Sequence, residues 1–308
     1  MGATFGRVIV LGLAAVTGVI AIFSIWANGE LLDSGGWASV SGRLLESKEV
    51  RHRVAVFLGE ELANDTEAQL DAAGLEGTAE EVMPRLHARQ TELAEQVMAT
   101  KRFHKVWTAA NRSGQRTLVR VLDEEEAGEN GVVYVDLTPA LRQLAEVIDE
   151  EGLASEFGAV NLASQVEPGA ARIKVLEAAE LNEAQDVVRV VRHLTLPAVI
   201  ATIALYLLFL FLLRDRLSLA FLGIGLTLAA TGGLALLAGT LAGHEVVDQL
   251  LGNGAGADRQ AAEAAWGVIT SKIADLAGVA IGIGAVVVLL VAGVEVLRRM
   301  RFGEAGGY

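Results

Sequence analysis

The alternation of apolar and polar segments along the chain is dominated by four long apolar stretches. These are Val8–Trp26, Leu194–Leu213, Leu217–Ala242 and Leu276–Leu297. Each stretch has about the 20 residues that an α-helix needs to cross the hydrocarbon core of a bilayer. The sequence therefore predicts four transmembrane helices.

The first stretch has the length and flank of an uncleaved signal-anchor. The apolar region of a cleaved signal peptide usually has about 7–15 residues and is followed by small residues. Here the run is longer, and Ile25 and Trp26 at its end are bulky. We therefore expect the first helix to remain in the protein.

Basic residues beside the spans predict the orientation. Arg7 precedes the first span, Arg214 and Arg216 lie in the short turn between the second and third spans, and Arg298 and Arg299 follow the fourth. With four spans these groups share one side, which the positive-inside rule identifies as the cytoplasm. We therefore predict a multi-pass plasma-membrane protein with cytoplasmic N- and C-termini and residues 28–193 outside.

The segment 28–193 has the pattern of a mostly helical domain with two strands. Val132–Asp136 and Arg172–Leu176 are rich in β-branched and aliphatic residues, which predicts a pair of strands. Asn64–Gly77 is small and polar and predicts a connection, with room for one short helix. The next helix starts either at the capping-box pattern Thr78–Glu81 or, in the alternative, at Pro84, which fits the first position of a helix. The predicted fold class is membrane α-helical, with four transmembrane helices, plus an α+β, mostly helical, extracytoplasmic domain.

These predictions divide the chain into five segments. They are 1–27, an N-terminal signal-anchor helix; 28–193, the extracytoplasmic domain; 194–242, a transmembrane helical hairpin; 243–275, an outer loop with a helix from Ala257 that joins the next span; and 276–308, the fourth span with a short basic cytoplasmic tail.

Composition and charge narrow the class of protein. The chain has 308 residues, 25 Lys and Arg against 38 Asp and Glu, a net charge of −13 and no cysteine. Segment 28–193 carries 17 of the basic and 30 of the acidic residues, so the predicted outer domain holds the whole excess of negative charge. A nucleic-acid partner is excluded, since phosphate binding needs an excess of Lys and Arg. Disulfides and thiolate sites are excluded because cysteine is absent.

The most asymmetric stretch lies between Glu95 and Asp123, which encloses six basic residues and no acidic one. On a helical wheel the apolar residues, with Phe103 and Trp107 among them, share one face. In one interpretation the basic face pairs with neighbouring acidic helices. In the other it binds an anionic partner, namely a lipid headgroup, a wall polymer or a protein. The residues of this candidate face are Lys101, Lys105, Arg112, Arg116 and Arg120.

Motifs for catalysis or for a metal are not recognisable, and we predict no catalytic residue, no metal site and no cofactor. The five histidines are scattered through the chain, whereas metal sites need clustered ligands. The acidic loop 123–129 lacks the ligand spacing of a calcium loop, which favours a solvated loop, and its role stays open. These observations favour a protein that is not an enzyme over an enzyme.

The spans themselves contain few polar groups. Charged residues at membrane depth mark most solute or proton pathways, but the groups near mid-span are Thr17, Thr202, Thr227 and Thr231. Their hydroxyls are expected to bond the carbonyl four residues earlier. Two small-xxx-small pairs instead predict close helix packing, either within the chain or in a homo-oligomer. These candidate helix-packing residues are Gly239, Gly243, Gly278 and Gly282.

Several longer motifs carry a resemblance to a known family. They are WASVSGRLLESKEVRHRVAVFLGEEL, FHKVWTAANRSGQRTLVRVL, GVVYVDLTPALRQL and RIKVLEAAELNEAQ, in this order between an N-terminal anchor and a helical hairpin. In this, residues 8–216 resemble an uncharacterised family of multi-span membrane proteins from high-GC Gram-positive bacteria. The resemblance implies an extracytoplasmic domain between the first two spans, and it contributes no catalytic residue to carry over. The extended fourth span and the Gly-rich loop 252–257 depart from the family pattern.

Three functions are compatible with these features. The leading hypothesis is a non-enzymatic integral membrane protein of the cell envelope that displays an outer domain for interaction or sensing. The first alternative is an oligomeric transport or channel component that uses the Gly-rich spans three and four. The second is a membrane enzyme with an unrecognised site in the outer domain.

Overall fold

The computed structural model describes residues 2–72, 74, 76–124, 132–150, 162–251 and 256–303. Most of the predicted acidic loop, 125–129, and most of the Gly-rich loop, 252–255, lie outside the described residues. The described helices and strands are α1 (Gly2–Trp26), α2 (Ser34–Glu46), α3 (Lys48–Ala72), α4 (Glu76–Met98), α5 (Lys101–Glu124), β1 (Val132–Asp136), α6 (Thr138–Glu150), α7 (Leu162–Gln165), β2 (Arg172–Glu177), α8 (Ala178–Leu212), α9 (Leu217–Leu251) and α10 (Ala257–Gly303).

Two short helical segments complete this order. A π-helix, Ala27–Leu32, follows α1, and a 3₁₀ turn, Arg214–Arg216, connects α8 to α9. The Asp33 carboxylate then caps α2, because its Oδ1 accepts the backbone N–H groups of Gly35 at 2.9 Å and Gly36 at 2.8 Å. This cap satisfies two of the donors that the first turn of a helix leaves unpaired.

The chain forms two compact units. The apolar unit consists of Met1–Asn28, Val190–Val246 and Thr270–Tyr308, and the polar unit consists of Gly29–Arg189 and Val247–Ile269. The boundaries at residues 28/29 and 189/190 lie beside the segment boundaries predicted at 27/28 and 193/194.

Four of the described helical stretches are long and apolar enough to cross a membrane. They are Phe5–Leu32, Ala184–Leu212, Arg214–Gln249 and Asp258–Arg298. The chain is therefore a multi-pass helical membrane protein, as the apolar pattern predicts. The helix predicted from Ala257 does join the fourth span, because α10 runs without a break to Gly303.

The polar unit is built around a core of large side chains. The hairpin of α3 and α4 makes the most extensive helix–helix contact, and α2, α5 and α6 pack around it. The largest fully buried side chains are Phe103, Leu45, Leu58, Leu62, Leu86, Leu93, Met98, Leu141 and Leu144.

The connection predicted inside this hairpin and one of the two predicted helix starts are wrong. Asn64–Gly77 was expected to be a connection, but α3 continues through most of it to Ala72. The buried face continues at Thr66 and Leu70, and the Thr66 hydroxyl donates to the Leu62 carbonyl at 2.7 Å. α4 begins at Glu76, so the alternative start at Pro84 is wrong and the start at the capping-box pattern is the nearer of the two. Burial of the neighbouring Met83 holds the helix at Pro84 despite the backbone donor that proline lacks.

The two predicted strands are present and pair with each other. β1 and β2 are antiparallel, with Asp136 opposite Arg172 and Val132 opposite Glu177. Their five and six residues form the whole described sheet, and a two-stranded sheet is marginal without support from helices. The description α+β therefore overstates the strand content of the unit, which is dominated by helices.

Candidate functional site

The rotation of α5 is fixed by its apolar face. Phe103, Trp107, Ala110 and Val121 are buried. The Trp107 indole N–H donates to the Ser41 carbonyl at 2.9 Å, and its ring stacks on Phe103 with the centroids 6.3 Å apart. A buried indole donor requires such a partner, so these contacts determine which side of α5 faces outward.

All five cations of the candidate basic face are exposed on that outward side. Within the described ranges, none of them forms an ion pair or a side-chain hydrogen bond. The neighbouring Arg102, by contrast, pairs with Glu146 of α6 at 3.0 Å. The interpretation in which the basic side pairs with acidic helices therefore applies to Arg102, while the following residues remain open to solvent: Lys101, Lys105, Arg112, Arg116 and Arg120.

The shape of the basic face suits an extended anion. From Lys101 to Arg120 it covers about 28 Å at 1.5 Å per residue, and its side chains lie within roughly 100° of the helix circumference. The Debye length in physiological salt is about 8 Å. Charges farther from the basic face than this are largely screened, so the net negative charge of the whole chain does not by itself prevent the face from attracting an anion.

Close approach of the spans depends on other glycines than the predicted ones. An added Cβ at Gly239, Gly278 or Gly282 would meet nothing within 4 Å, so packing within the chain does not require glycine there. An added Cβ at Gly284 would lie 2.4 Å from the Gly225 carbonyl oxygen of α9. For these three glycines the predicted role in helix packing stays a prediction.

A second glycine of α9 lies close to α10, and the predicted glycines differ in burial. A Cβ at Gly232 of α9 would lie 2.5 Å from the Ala277 carbonyl oxygen of α10, so α9 and α10 approach each other closely at two levels. Gly243 is buried, whereas Gly278 and Gly282 are exposed. A role for these residues in packing between copies of the chain stays a prediction.

The mid-span threonines behave as predicted. The hydroxyls of Thr17, Thr202, Thr227 and Thr231 donate to the carbonyls of Leu13, Ala198, Gly223 and Thr227 at 2.8–2.9 Å. These bonds satisfy the hydroxyls inside each helix, which removes the cost of placing them in hydrocarbon. Thr202 also lies 3.0 Å from the hydroxyl of Thr17 on α1.

Two acidic residues of α3 have pKa values above the ordinary ones. Burial raises the pKa of Glu61, and the neighbouring carboxylates Glu60 and Asp65 raise it further. Burial also raises the pKa of Asp65, although the backbone N–H of Glu167 donates to it at 3.2 Å and opposes the rise. Among the described residues, no group of three or more His, Asp or Glu side chains could hold a metal ion.

A cavity of about 380 Å³ lies beside the second half of α5 in the polar unit. Its walls come from the π-helix, α2, α5 and the first part of α8. Two of its lining residues, Asn111 and Gln115, are polar and buried. The lining residues are Leu31, Leu32, Trp37, Asn111, Gln115, Leu118, Val119, Leu122 and Val188.

Sequence reasoning missed this cavity, although one signal was present. Asn111 and Gln115 are four residues apart, so they occupy the same strip of α5, and this strip lies between the apolar and basic faces. Buried amides at such an edge require specific partners. The cavity itself could not be foreseen, because its walls come from segments far apart in the chain.

Comparison of the chain with protein-family models, with curated proteins and with solved structures finds no match.

Proposed function

We propose that the protein is a non-enzymatic, multi-pass component of the cell envelope whose outer helical domain binds an anionic partner through the basic face of α5. The observation that carries the proposal is the row of five exposed cations without an ion pair in the described part of the chain. Arginine and lysine held on a rigid helix gain most of their interaction energy from an external anion, because no internal partner competes for them.

The proposed topology rests on the basic residues that flank the spans. The cytoplasmic side contains Arg7, the turn Arg214–Arg216 and the basic tail, with α1 as a signal-anchor in the plasma membrane. A contact inside the apolar unit supports a common side for the first two, since an Arg7 guanidinium N–H donates to the Leu212 carbonyl at 3.5 Å. Residues 28–193 then face outward.

The orientation can be tested with single cysteines, because the natural chain has none. We expect Lys105→Cys to react in intact cells with a membrane-impermeant maleimide, since the side chain is exposed on the proposed outer side. Asp215→Cys, in the proposed cytoplasmic turn, is the matched control and should react only after the cells are permeabilised. Labelling of the second variant alone in intact cells would reverse the topology.

The basic face can be tested by charge reversal. The change is Lys105→Glu, Arg112→Glu and Arg116→Glu in the full chain, reconstituted in nanodiscs of neutral lipid. Binding to phosphatidylcholine vesicles that contain phosphatidylglycerol, and to soluble polyphosphate, should fall at least about tenfold, since each basic residue near an anionic surface contributes roughly 1 kcal/mol. Co-sedimentation measures the first probe and fluorescence anisotropy the second.

The control variant carries the same change of charge at exposed or half-buried sites away from the face. It combines Lys48→Glu, Arg85→Glu and Arg89→Glu on α3 and α4. We expect the control to bind nearly as well as the natural chain. Equal losses in the two variants would mean that only overall charge matters, and unchanged binding by the α5 variant with an intact fold would refute the role of the basic face.

A further inference from the structure

Gln115 lines the α5 cavity and has a buried hydrogen-bond acceptor without a partner in the described part of the chain. The side chain is 5 % exposed, and its Nε2 donates to the Leu31 carbonyl at 3.0 Å and the Leu32 carbonyl at 3.1 Å. These carbonyls lie at the end of the π-helix, where a helix lacks internal donors. The two bonds fix the amide nitrogen, and Oε1 is left buried without a partner in the described part of the chain. A buried acceptor without a partner is costly, so an occupant with an O–H or N–H donor would be favoured.

The rest of the lining selects an uncharged, largely hydrocarbon occupant. Seven of the nine lining residues are apolar and none is charged. A charged headgroup would lose its hydration there without gaining a counter-charge. The polar atoms of Asn111 are partly used, since its Nδ2 donates to the Trp107 carbonyl at 3.1 Å.

The position of the lining residues along the chain points to the bilayer as the source of the occupant. Leu31 and Leu32 are the last residues of the apolar stretch Phe5–Leu32, and Val188 lies at the beginning of Ala184–Leu212. The cavity is therefore lined in part by the ends of two candidate spans. Leu118 and Val188 also pack against the small core formed by Val121 and Leu122, so this part of the cavity wall belongs to a packed cluster.

We propose that this cavity binds an uncharged lipid alcohol, whose hydrocarbon body contacts the apolar walls and whose hydroxyl donates to Gln115 Oε1. The volume of about 380 Å³ lies within the usual range of small-molecule sites, which combine apolar walls with a few polar groups that orient the ligand. This site goes beyond the proposed function, because the cations of the basic face do not line it.

The binding test uses the full chain in detergent and native mass spectrometry. The probes are dodecan-1-ol, dodecyl methyl ether and sodium dodecanoate, added singly and in pairs at equal concentration. The ether keeps the oxygen but cannot donate, and the carboxylate carries a charge. We expect the alcohol to be retained about fivefold better than the ether, which is the effect of one net hydrogen bond, and the carboxylate to be retained least.

Two variants separate the hydrogen bond from the apolar walls. Gln115→Leu removes the acceptor, so the preference for the alcohol over the ether should disappear while the ether is still retained. Leu118→Trp fills the cavity without touching the Gln115 bonds and should lower retention of both probes at least tenfold. Ala109→Trp, an exposed position on the same helix, is the matched control and should change neither.

The proposal is overturned by any of three outcomes. One is equal retention of alcohol and ether by the natural chain, which would mean that water satisfies Oε1. Another is better retention of the carboxylate than of the alcohol. The third is unchanged retention in Leu118→Trp, which keeps the test decisive even if Gln115→Leu fails to fold.

Discussion

The two units differ in the side chains that they bury. The polar unit encloses most of the large buried residues, such as Phe103 and Leu141, while the apolar unit buries mostly small ones such as Ala14, Ala235 and Ala277, with Phe209 as an exception, and exposes large aliphatic residues. In water, folding is driven by burial of large apolar groups, but between helices in a bilayer this force is absent and close packing of small residues replaces it. The contrast indicates that each unit is adapted to a different solvent.

The largest expected effect compares one leucine in each unit. Leu58 is fully buried in the polar unit and Leu207 is 60 % exposed in the apolar unit. Leu58→Ala should destabilise the polar unit by about 2–5 kcal/mol, because it removes hydrophobic burial and leaves a cavity. Hydrogen exchange of α3 and α4 in nanodiscs measures the loss.

Leu207→Ala is the control for this comparison. Its side chain contacts lipid, which is as apolar as leucine, so a change below about 0.5 kcal/mol is expected. A cost comparable to that of Leu58→Ala would show that the exposed large side chains stabilise the apolar unit as strongly as buried ones stabilise the polar unit, and the contrast between the units would fail.

A smaller effect is expected from the glycines between α9 and α10. Gly284→Ala places a methyl group 2.4 Å from the Gly225 carbonyl oxygen, so the helices must separate, at a cost of about 1–3 kcal/mol. Gly278→Ala, the same change in an open position of the same helix, should be neutral or slightly stabilising. Thermal aggregation in detergent, followed by the amount of monodisperse protein, compares the two variants.

These glycines also test the packing rule itself. If Gly278→Ala reduced the thermal midpoint more than Gly284→Ala, the exposed pair Gly278 and Gly282 would be part of an interface between copies. That result would support the oligomer predicted from the small-xxx-small spacing and would contradict the packing within a single chain.

The smallest expected effect concerns Glu61 and pH. The folded chain holds the Glu61 proton more tightly than the unfolded chain does, because burial raises its pKa above the ordinary value of 4.5. The ionised group therefore reduces stability as pH rises through and above that value. Glu61→Gln should raise the stability of the polar unit at pH 7 by a few tenths of a kcal/mol, since the group is partly screened by solvent.

The pH dependence of the stability gain in Glu61→Gln provides a control. The gain should vanish in acid below the ordinary Glu pKa, where the natural residue is also neutral, and chemical unfolding at the two pH values measures it. Glu49→Gln is the matched variant, because hydrogen bonds from its own backbone N–H and from Ser47 lower the Glu49 pKa. Its substitution should lower stability at pH 7 or leave it unchanged.

Local patterns predicted most of the fold. Span length predicted the four apolar helices, the mid-span position of the threonines predicted their bonds to the carbonyl four residues earlier, and the position of Trp107 predicted the buried face of α5. The pairing of Val132–Asp136 with the RIKVL segment was also correct. Each of these depends on residues close together in the chain, where helix and strand periodicity determines the outcome.

What depended on the relative rotation of distant elements could not be predicted. Spacing identified Gly278 and Gly282 as a pair, but it cannot show which side of α10 meets α9, and Gly284 lies on that side. The connection over Asn64–Gly77 and the helix start at Pro84 were wrong because tertiary burial overrides local propensity. The cavity beside Gln115 is enclosed by three separate segments of the chain. The pair of amides on α5, its one signal in the sequence, therefore could not reveal that a cavity is present.

The strand pair has a consequence for the order of folding. β1 and β2 join residues that are some forty positions apart, whereas α3 and α4 are neighbours joined by a short connection. Closing the longer loop costs more chain entropy, and distant pairings slow the approach to the native state. We therefore expect folding of the polar unit to begin at the α3–α4 hairpin. The two strands should pair last, when α6 and α7 dock onto a structure that has already collapsed.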